Sequence, residues 1–222
     1  MDAATRALLD SDGWFGSLPP ERRTALLGEA RVRALPAGAT IYAAGDPPNG
    51  LWAVVAGEVR LTGHPVAGHE VLALILRPGT WFGEVSTLDG GPRPHDATAF
   101  GRVRVLHVPM AAFHRLAEAI PGLYHDLGRL VCQHQRVALD FIAQTIALPL
   151  PARIARLLAD RADPDAGLRV RQEDLAAMLN VSRQTLNRHL ARLAAAGLVR
   201  LSYGRIEVAD AARLARLAAG EV

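Results

Sequence analysis

The chain has a single cysteine, Cys132, among its 222 residues. That excludes an internal disulfide and, within one chain, any four-cysteine metal site or iron–sulfur cluster. A reducing, cytoplasmic compartment is the expectation. Lysine is missing altogether: all 25 basic residues are arginine, a bias that fits genomic base composition better than function. No apolar run reaches membrane-spanning length, and the N-terminus lacks the charged-then-apolar layout of a signal peptide. Recognisable catalytic patterns are missing too. His64 and His69-Glu70 do not reproduce the His-x-His and Glu spacing of a cupin-like metal site, and no Ser/His/Asp or paired-carboxylate arrangement stands out. The sequence predicts neither an enzyme nor a membrane partner.

What is present begins with apolar residues, which make up 50% of the chain, ample for a packed core. Charge is unevenly distributed. Residues 1–149 carry 13 arginines against 14 acids, whereas residues 150–222 carry 12 against 8. The basic excess in the C-terminal third points to an anionic partner there.

The pattern predicts an α+β chain in three parts. Residues 1–120 open with short amphipathic helices, one starting near Leu18-Pro19-Pro20-Glu21. From Val32 the text turns β-rich, with runs at Thr40–Tyr42, Leu51–Val55, Glu58–Leu61, Glu70–Leu76 and Val103–Val108 separated by Gly and Pro. Short strands so spaced suggest an antiparallel β-roll of the jelly-roll kind. Residues 121–148 then read as one long helix. Leu123, Leu130 and Val137 share one heptad position, and Leu127, His134, Phe141 and Leu148 share another, the pattern of a dimerisation seam. A helix buried against its own barrel gives the same stripe. Leu148-Pro149-Leu150-Pro151 breaks the helix, and residues 149–222 form a separate domain.

Residues 171–199 of that last domain carry the clearest motif. A helix over Gln172–Leu179 turns inward through Leu175 and Leu179, and Asn180-Val181 makes a tight turn. Ser182 then suits the N-cap of a second helix whose Leu186, Leu190 and Leu193 share one face. Arg183, Gln184, Thr185, Asn187 and Arg188 are left on its other faces, near the N-terminal end. A DNA-recognition helix enters the major groove with that end foremost. Arginine donates two hydrogen bonds to guanine and glutamine pairs bidentately with adenine, while Thr185 and Asn187 are candidates for phosphates. Leu198–Leu201, Ser202-Tyr203-Gly204 and Arg205–Val208 complete a β-hairpin wing that sets Arg205 toward the DNA backbone. A helix-turn-helix that serves a protein partner is the alternative.

Along nearly its whole length the chain resembles the Crp/Fnr family of transcription factors. The likeness is carried by Gly50 to Leu61 (GLWAVVAGEVRL), by Pro78 to Val85 (PGTWFGEV) and by Val181 to Arg188 (VSRQTLNR). The resemblance implies a cyclic-nucleotide-binding-type β-roll, a long dimer helix and a winged helix-turn-helix. It also implies a homodimer on two half-sites of duplex DNA, allosteric control by a small molecule, and RNA polymerase as a further partner. By that resemblance Arg183, Gln184 and Arg188 read bases, with Gln184 standing where cAMP-binding members usually carry Glu.

Gly83, Glu84 and Val85 match the start of the family's phosphate-binding cassette, in which the Glu accepts from ribose and an Arg holds the cyclic phosphate. Arg93 follows Glu84 by nine residues, and the text then runs Pro94-His95-Asp96 before Ala97. Aligned backward from Ala97, His95 takes the place of the Arg and Asp96 that of the phosphate-facing small residue, where its charge would repel a phosphate. Ala138 and Leu139 stand where cAMP-responsive members offer hydroxyls to adenine. These departures weigh against cAMP and leave open both the effector and a regulator that is constitutively active. His64, His69, His95, His107, His114, His125 and His134 all fall in the sensor half, as in a haem sensor, without close metal spacing. A redox role for Cys132 would need an activated, exposed thiolate.

Overall fold

The computed structural model describes residues 2–66, 69–161, 172–202 and 205–221. Two units divide the chain, Met1–Arg136 and Val137–Val222. The first begins with helices α1 (Ala3–Asp10) and α2 (Pro20–Glu29), joined through a 3-10 turn at Phe15–Ser17. Strands β1 (Arg31–Leu35), β2 (Thr40–Tyr42), β3 (Gly50–Val66), β4 (His69–Leu76) and β5 (Trp81–Phe82) follow. Helix α3 (Glu84–Asp89), strand β6 (Asp96–Pro109) and helix α4 (Met110–Ala119) lead to the long α5 (Gly122–Ala147), which runs on into the second unit. There come α6 (Leu150–Arg161), α7 (Gln172–Leu179), α8 (Arg183–Ala195), the hairpin β7 (Val199–Ser202) and β8 (Arg205–Val208), and α9 (Ala211–Ala218).

The six strands of the first unit form one antiparallel sheet in the order β1-β6-β3-β4, with β2 on β6 and β5 on β3. The runs Leu51–Val55 and Glu58–Leu61, expected as separate strands, are one strand. It passes through Gly57, where φ is +83° and a Cβ would lie 2.5 Å from the Arg102 carbonyl oxygen. Glycine there lets the strand bend without ending, and the register against β6 shifts on both sides of Ala56.

Residues Leu51 to Val55 are buried without alternation because both faces of the sheet are covered. Leu51, Ala53 and Val55 join Trp81, Leu106 and Val108 beneath Leu9, Leu26, Phe113 and Leu123 of the helices. Trp52, Val54, Val59 and Leu61 face Tyr42, Phe82, Val103 and Val105 inside the roll. The fold is the expected α+β β-roll, long helix and winged helix-turn-helix.

The heptad seam needs correction. Leu123, Leu127 and Leu130 are 2%, 0% and 1% exposed and belong to the core of their own unit, with Trp81 and Leu106. They are closed to a partner. His134 turns to Glu84 of α3 instead. Val137 and Phe141 stay exposed, alongside Leu139, Ile142 and Ile146. A stripe at heptad spacing records that one side of a helix is covered, not what covers it, and here the first half lies on its own barrel.

The second unit closes on its own cluster, in which Ile154 and Leu158 of α6, Leu175 and Leu179 of α7, and Leu186, Leu190 and Leu193 of α8 meet Val199, Ile206 and Leu214. Helix α5 ends before Pro149, as that proline dictates. The loop expected at Asp163–Gly167 and the wing turn Tyr203-Gly204 lie outside the described residues.

Candidate nucleic-acid interface and effector cassette

Helix α7 has the limits predicted for it. Asn180 follows with φ +53°, a left-handed turn residue of the kind asparagine tolerates. The Ser182 Oγ accepts from the Thr185 amide at 3.1 Å, and its hydroxyl pairs with Thr185 Oγ1 at 2.9 Å. Such a cap stabilises a helix by about 1 kcal/mol. Leu186 and Leu190 are fully buried and Leu193 nearly so, which fixes the rotation of α8.

The opposite face is therefore presented outward. Arg183, Gln184 and Arg188 are exposed, while Thr185 and Asn187 are half-buried. The Thr185 hydroxyl belongs to the cap, and the Asn187 Oδ1 is buried without a partner, so both lie closer to the helix's own packing than a phosphate-contacting role requires. Arg192, exposed one turn beyond Arg188, extends the basic face. Half-buried His189 lies beside it, its pKa held below the ordinary value by burial and by Arg192 and Arg188. The four-residue step from Arg188 was the sequence signal for Arg192. Arg205 pairs through its backbone with Ser202 at the tip of the wing; its side chain lies outside the described residues. Other arginines serve the fold. Arg153 donates to the Leu179 carbonyl at 3.1 Å and Arg213 to that of Ala196 at 3.2 Å, each closing a helix C-terminus.

In the first unit, α3 starts at a left-handed glycine. Gly83 has φ +84°, and a Cβ on it would lie 2.8 Å from Arg93 Nη1. Arg93 is 2% exposed. Its Nη1 donates to the Gly83 carbonyl at 2.8 Å and its Nη2 to the Gly50 carbonyl at 2.7 Å and to Asn49 Oδ1. The guanidinium carbon lies 4.3 Å from the centre of the Tyr42 ring. Burial works against the Arg93 charge, and Tyr42, Glu84 and Asp46 favour it. Asn49 also accepts from Trp52 Nε1, and its carbonyl lies 2.8 Å from His107 Nε2.

Glu84, 7% exposed, has its Oε1 2.8 Å from His134 Nδ1. Burial pulls the His134 pKa down, but the hydrogen bond to Glu84 and the charges of Glu84 and Asp12 outweigh it and raise the imidazole above its usual 6.5. His95 packs 5.9 Å from the Tyr42 ring, and burial lowers its pKa against the pull of Glu84. The Asp96 carboxylate accepts from the Ala44 amide and lies 2.7 Å from His64 Nε2; those two bonds hold its pKa below the usual range. Val85 is exposed.

The fold thus gathers Gly83, Glu84, Arg93 and His95, with Arg93 rather than His95 against Gly83, while Asp96 is engaged elsewhere. Tyr42, Asn49 and the cassette role of His134 escaped sequence reading, because each lies some forty or fifty residues from its partner with no local signal. A cyclic nucleotide fits this donor set in kind: a buried carboxylate, a buried guanidinium, and Tyr42 Oη, Arg93 Nε and His95 Nδ1 buried without partners. To hold a phosphate, Arg93 would have to give up backbone carbonyls that it now satisfies. Among the described residues no group of three His, Cys, Asp or Glu side chains is placed to hold a metal ion.

Comparison with known proteins decides the family. Residues 32–119 match the cyclic nucleotide-binding domain model and residues 152–217 the Crp-like helix-turn-helix domain model. The CRP-like cAMP-activated global transcriptional regulator of Mycobacterium tuberculosis is 31% identical over 95% of this chain and 98% of its own length. The chain belongs to the Crp family of transcription regulators. The cyclic AMP receptor protein of Thermus thermophilus is 33% identical over 93% of this chain and 96% of its own. A CRP/FNR-family transcriptional regulator from the same organism superposes with a TM-score of 0.69 at 26% identity, covering 86% of this chain and 100% of that one. As in those Crp-family relatives, the architecture is that of a DNA-binding regulator and not an enzyme. No described helix is long and apolar enough to cross a membrane.

Proposed function

We propose that this Crp-family chain is a homodimeric, cytoplasmic regulator that reads specific DNA through α8 and is controlled by a small-molecule effector in the β-roll. One observation carries the reading: Ser182 caps α8 and its leucines pin it, so that Arg183, Gln184 and Arg188 stand outward together at its N-terminal half. Arginine and glutamine are the side chains that read guanine and adenine bidentately. Two copies joined along the exposed apolar residues of α5, Val137 and Phe141 among them, would cover two half-sites about 10 bp apart, centre to centre. RNA polymerase is the expected protein partner of such a regulator.

The effector site is the cassette of Gly83, Glu84, Arg93 and His95. A second reading, a regulator active without effector, is favoured by one feature: the charges of Glu84 and Arg93 are already met by His134 and by backbone carbonyls. Repeated selection from a random duplex pool, with and without co-purified small molecules, tests the proposal. The expected product is an inverted repeat with half-sites one helical turn apart, bound by a species that sediments as a dimer. Failure to enrich any duplex would point to a helix-turn-helix that serves a protein instead.

A further inference from the structure

The effector cassette already contains a resident partner. His134 reaches it from α5, two residues before the first unit ends, and meets the one acidic side chain buried there. We propose that His134 is an internal counter-ligand for Glu84: the protonated imidazole occupies the carboxylate that a hydroxyl-bearing effector needs, and the site stays closed until that pair is broken. The inference rests on the effector-site reading above.

The chemistry favours a latch over a fixed core contact. A carboxylate offers acceptors only, so at 7% exposure it requires a donor or a cation. His134 supplies both, yet its own side chain is 35% exposed, which leaves its proton in exchange with solvent. The charged groups acting on His134 come from two packed elements: Glu84 of α3, and Asp12 from the turn after α1. Asp12 is already engaged by the amides of Trp14 and Phe15. Within the cassette the Glu84 charge also acts on Arg93, His95 and Tyr42. Loss of the His134 proton removes the attraction between two opposite charges and leaves at most a hydrogen bond from a neutral imidazole to the carboxylate. The sign follows from the raised imidazole: the pair is complete at low pH and weakens as pH rises through that value. The helix that carries His134 continues into the second unit, so a change of partner at His134 falls on the element that runs from one unit into the other.

Two measurements on the full chain test this, with cAMP as the hydroxyl-bearing probe. The first follows the His134 imidazole by NMR through a pH titration. E84Q is expected to lower its pKa, since burial then acts without the opposing charge; an unchanged value overturns the pair. The second is calorimetric titration with cAMP at about pH 6 and about pH 8, the range in which histidine titrates. Wild-type affinity should rise roughly tenfold between the two pH values as the imidazole loses the proton that holds Glu84. H134Q should bind tightly at both pH values, and H134K, which keeps the charge, weakly at both. Equal affinity and equal pH dependence in wild type and H134Q overturn the latch. If E84Q shifts the imidazole but no variant binds cAMP, the cyclic-nucleotide reading fails. The guarding role then falls with it, leaving the pair a structural contact.

Discussion

Arg93 and Arg188 are the same residue type put to opposite uses. Arg93 is sealed in the first unit, with donors on the carbonyls of Gly83 and Gly50 and its guanidinium carbon over the Tyr42 ring. Arg188 stands exposed on α8 with no ion pair or hydrogen bond among the described residues. The buried guanidinium holds a fold together, since its removal takes away three buried hydrogen bonds at once. The exposed one contributes little to the fold and keeps its fork of donors for a partner. Each unit is thus organised around what its arginines face, and substitutions should separate the two roles.

The largest effect is expected at Arg93. Arg93→Ala removes the guanidinium donors from the Gly50 and Gly83 carbonyls and from Asn49 Oδ1, leaving Thr87 Oγ1 on Gly83 and Trp52 Nε1 on Asn49, and should destabilise the first unit by about 3 kcal/mol. Urea unfolding followed by tryptophan fluorescence reads this directly, because Trp14, Trp52 and Trp81 all lie in that unit. A wild-type midpoint would break the comparison. Arg188→Ala should do the reverse: unfolding unchanged, and a loss of about 1–3 kcal/mol in binding to the selected duplex, with relaxed preference at one base position. Equal losses on selected and random DNA would refute base reading. Ser182→Ala should cost about 1 kcal/mol in the stability of the second unit by loss of the α8 cap, seen as a lower thermal midpoint by circular dichroism. Smallest is Arg205→Ala, which should weaken binding to every sequence alike and reduce the salt slope by about 1. A changed operator preference would contradict the placement of the wing.

The helix and strand limits of the second unit were legible almost to the residue, and the contacts of the first unit were not. Helix limits at Gln172, Leu179 and Ser182 follow from cap chemistry and from leucines recurring at helical spacing, both encoded within a turn or two of chain. The wing strands are likewise marked by a short turn between apolar residues. In the first unit the deciding contacts are remote. Nothing near Glu84 announces His134, fifty residues on, and nothing near Arg93 announces Gly50 and Asn49. Gly57 reads as a break between strands because glycine usually is one, whereas here it permits a bend within a single strand. Leu123, Leu127 and Leu130 carry a pattern that serves a dimer seam and a barrel contact equally well, so only packing distinguishes them.

The central claim is that α8 reads base sequence. The direct measurement is the affinity of the protein for a selected duplex and for its scrambled counterpart, each across a range of salt concentrations. Both affinities should fall linearly on logarithmic axes as the phosphate contacts of a basic face are screened. The selected duplex should keep an advantage of at least about a thousandfold at physiological salt. Equal affinities at every salt concentration would reduce α8 to a charged surface and contradict the account.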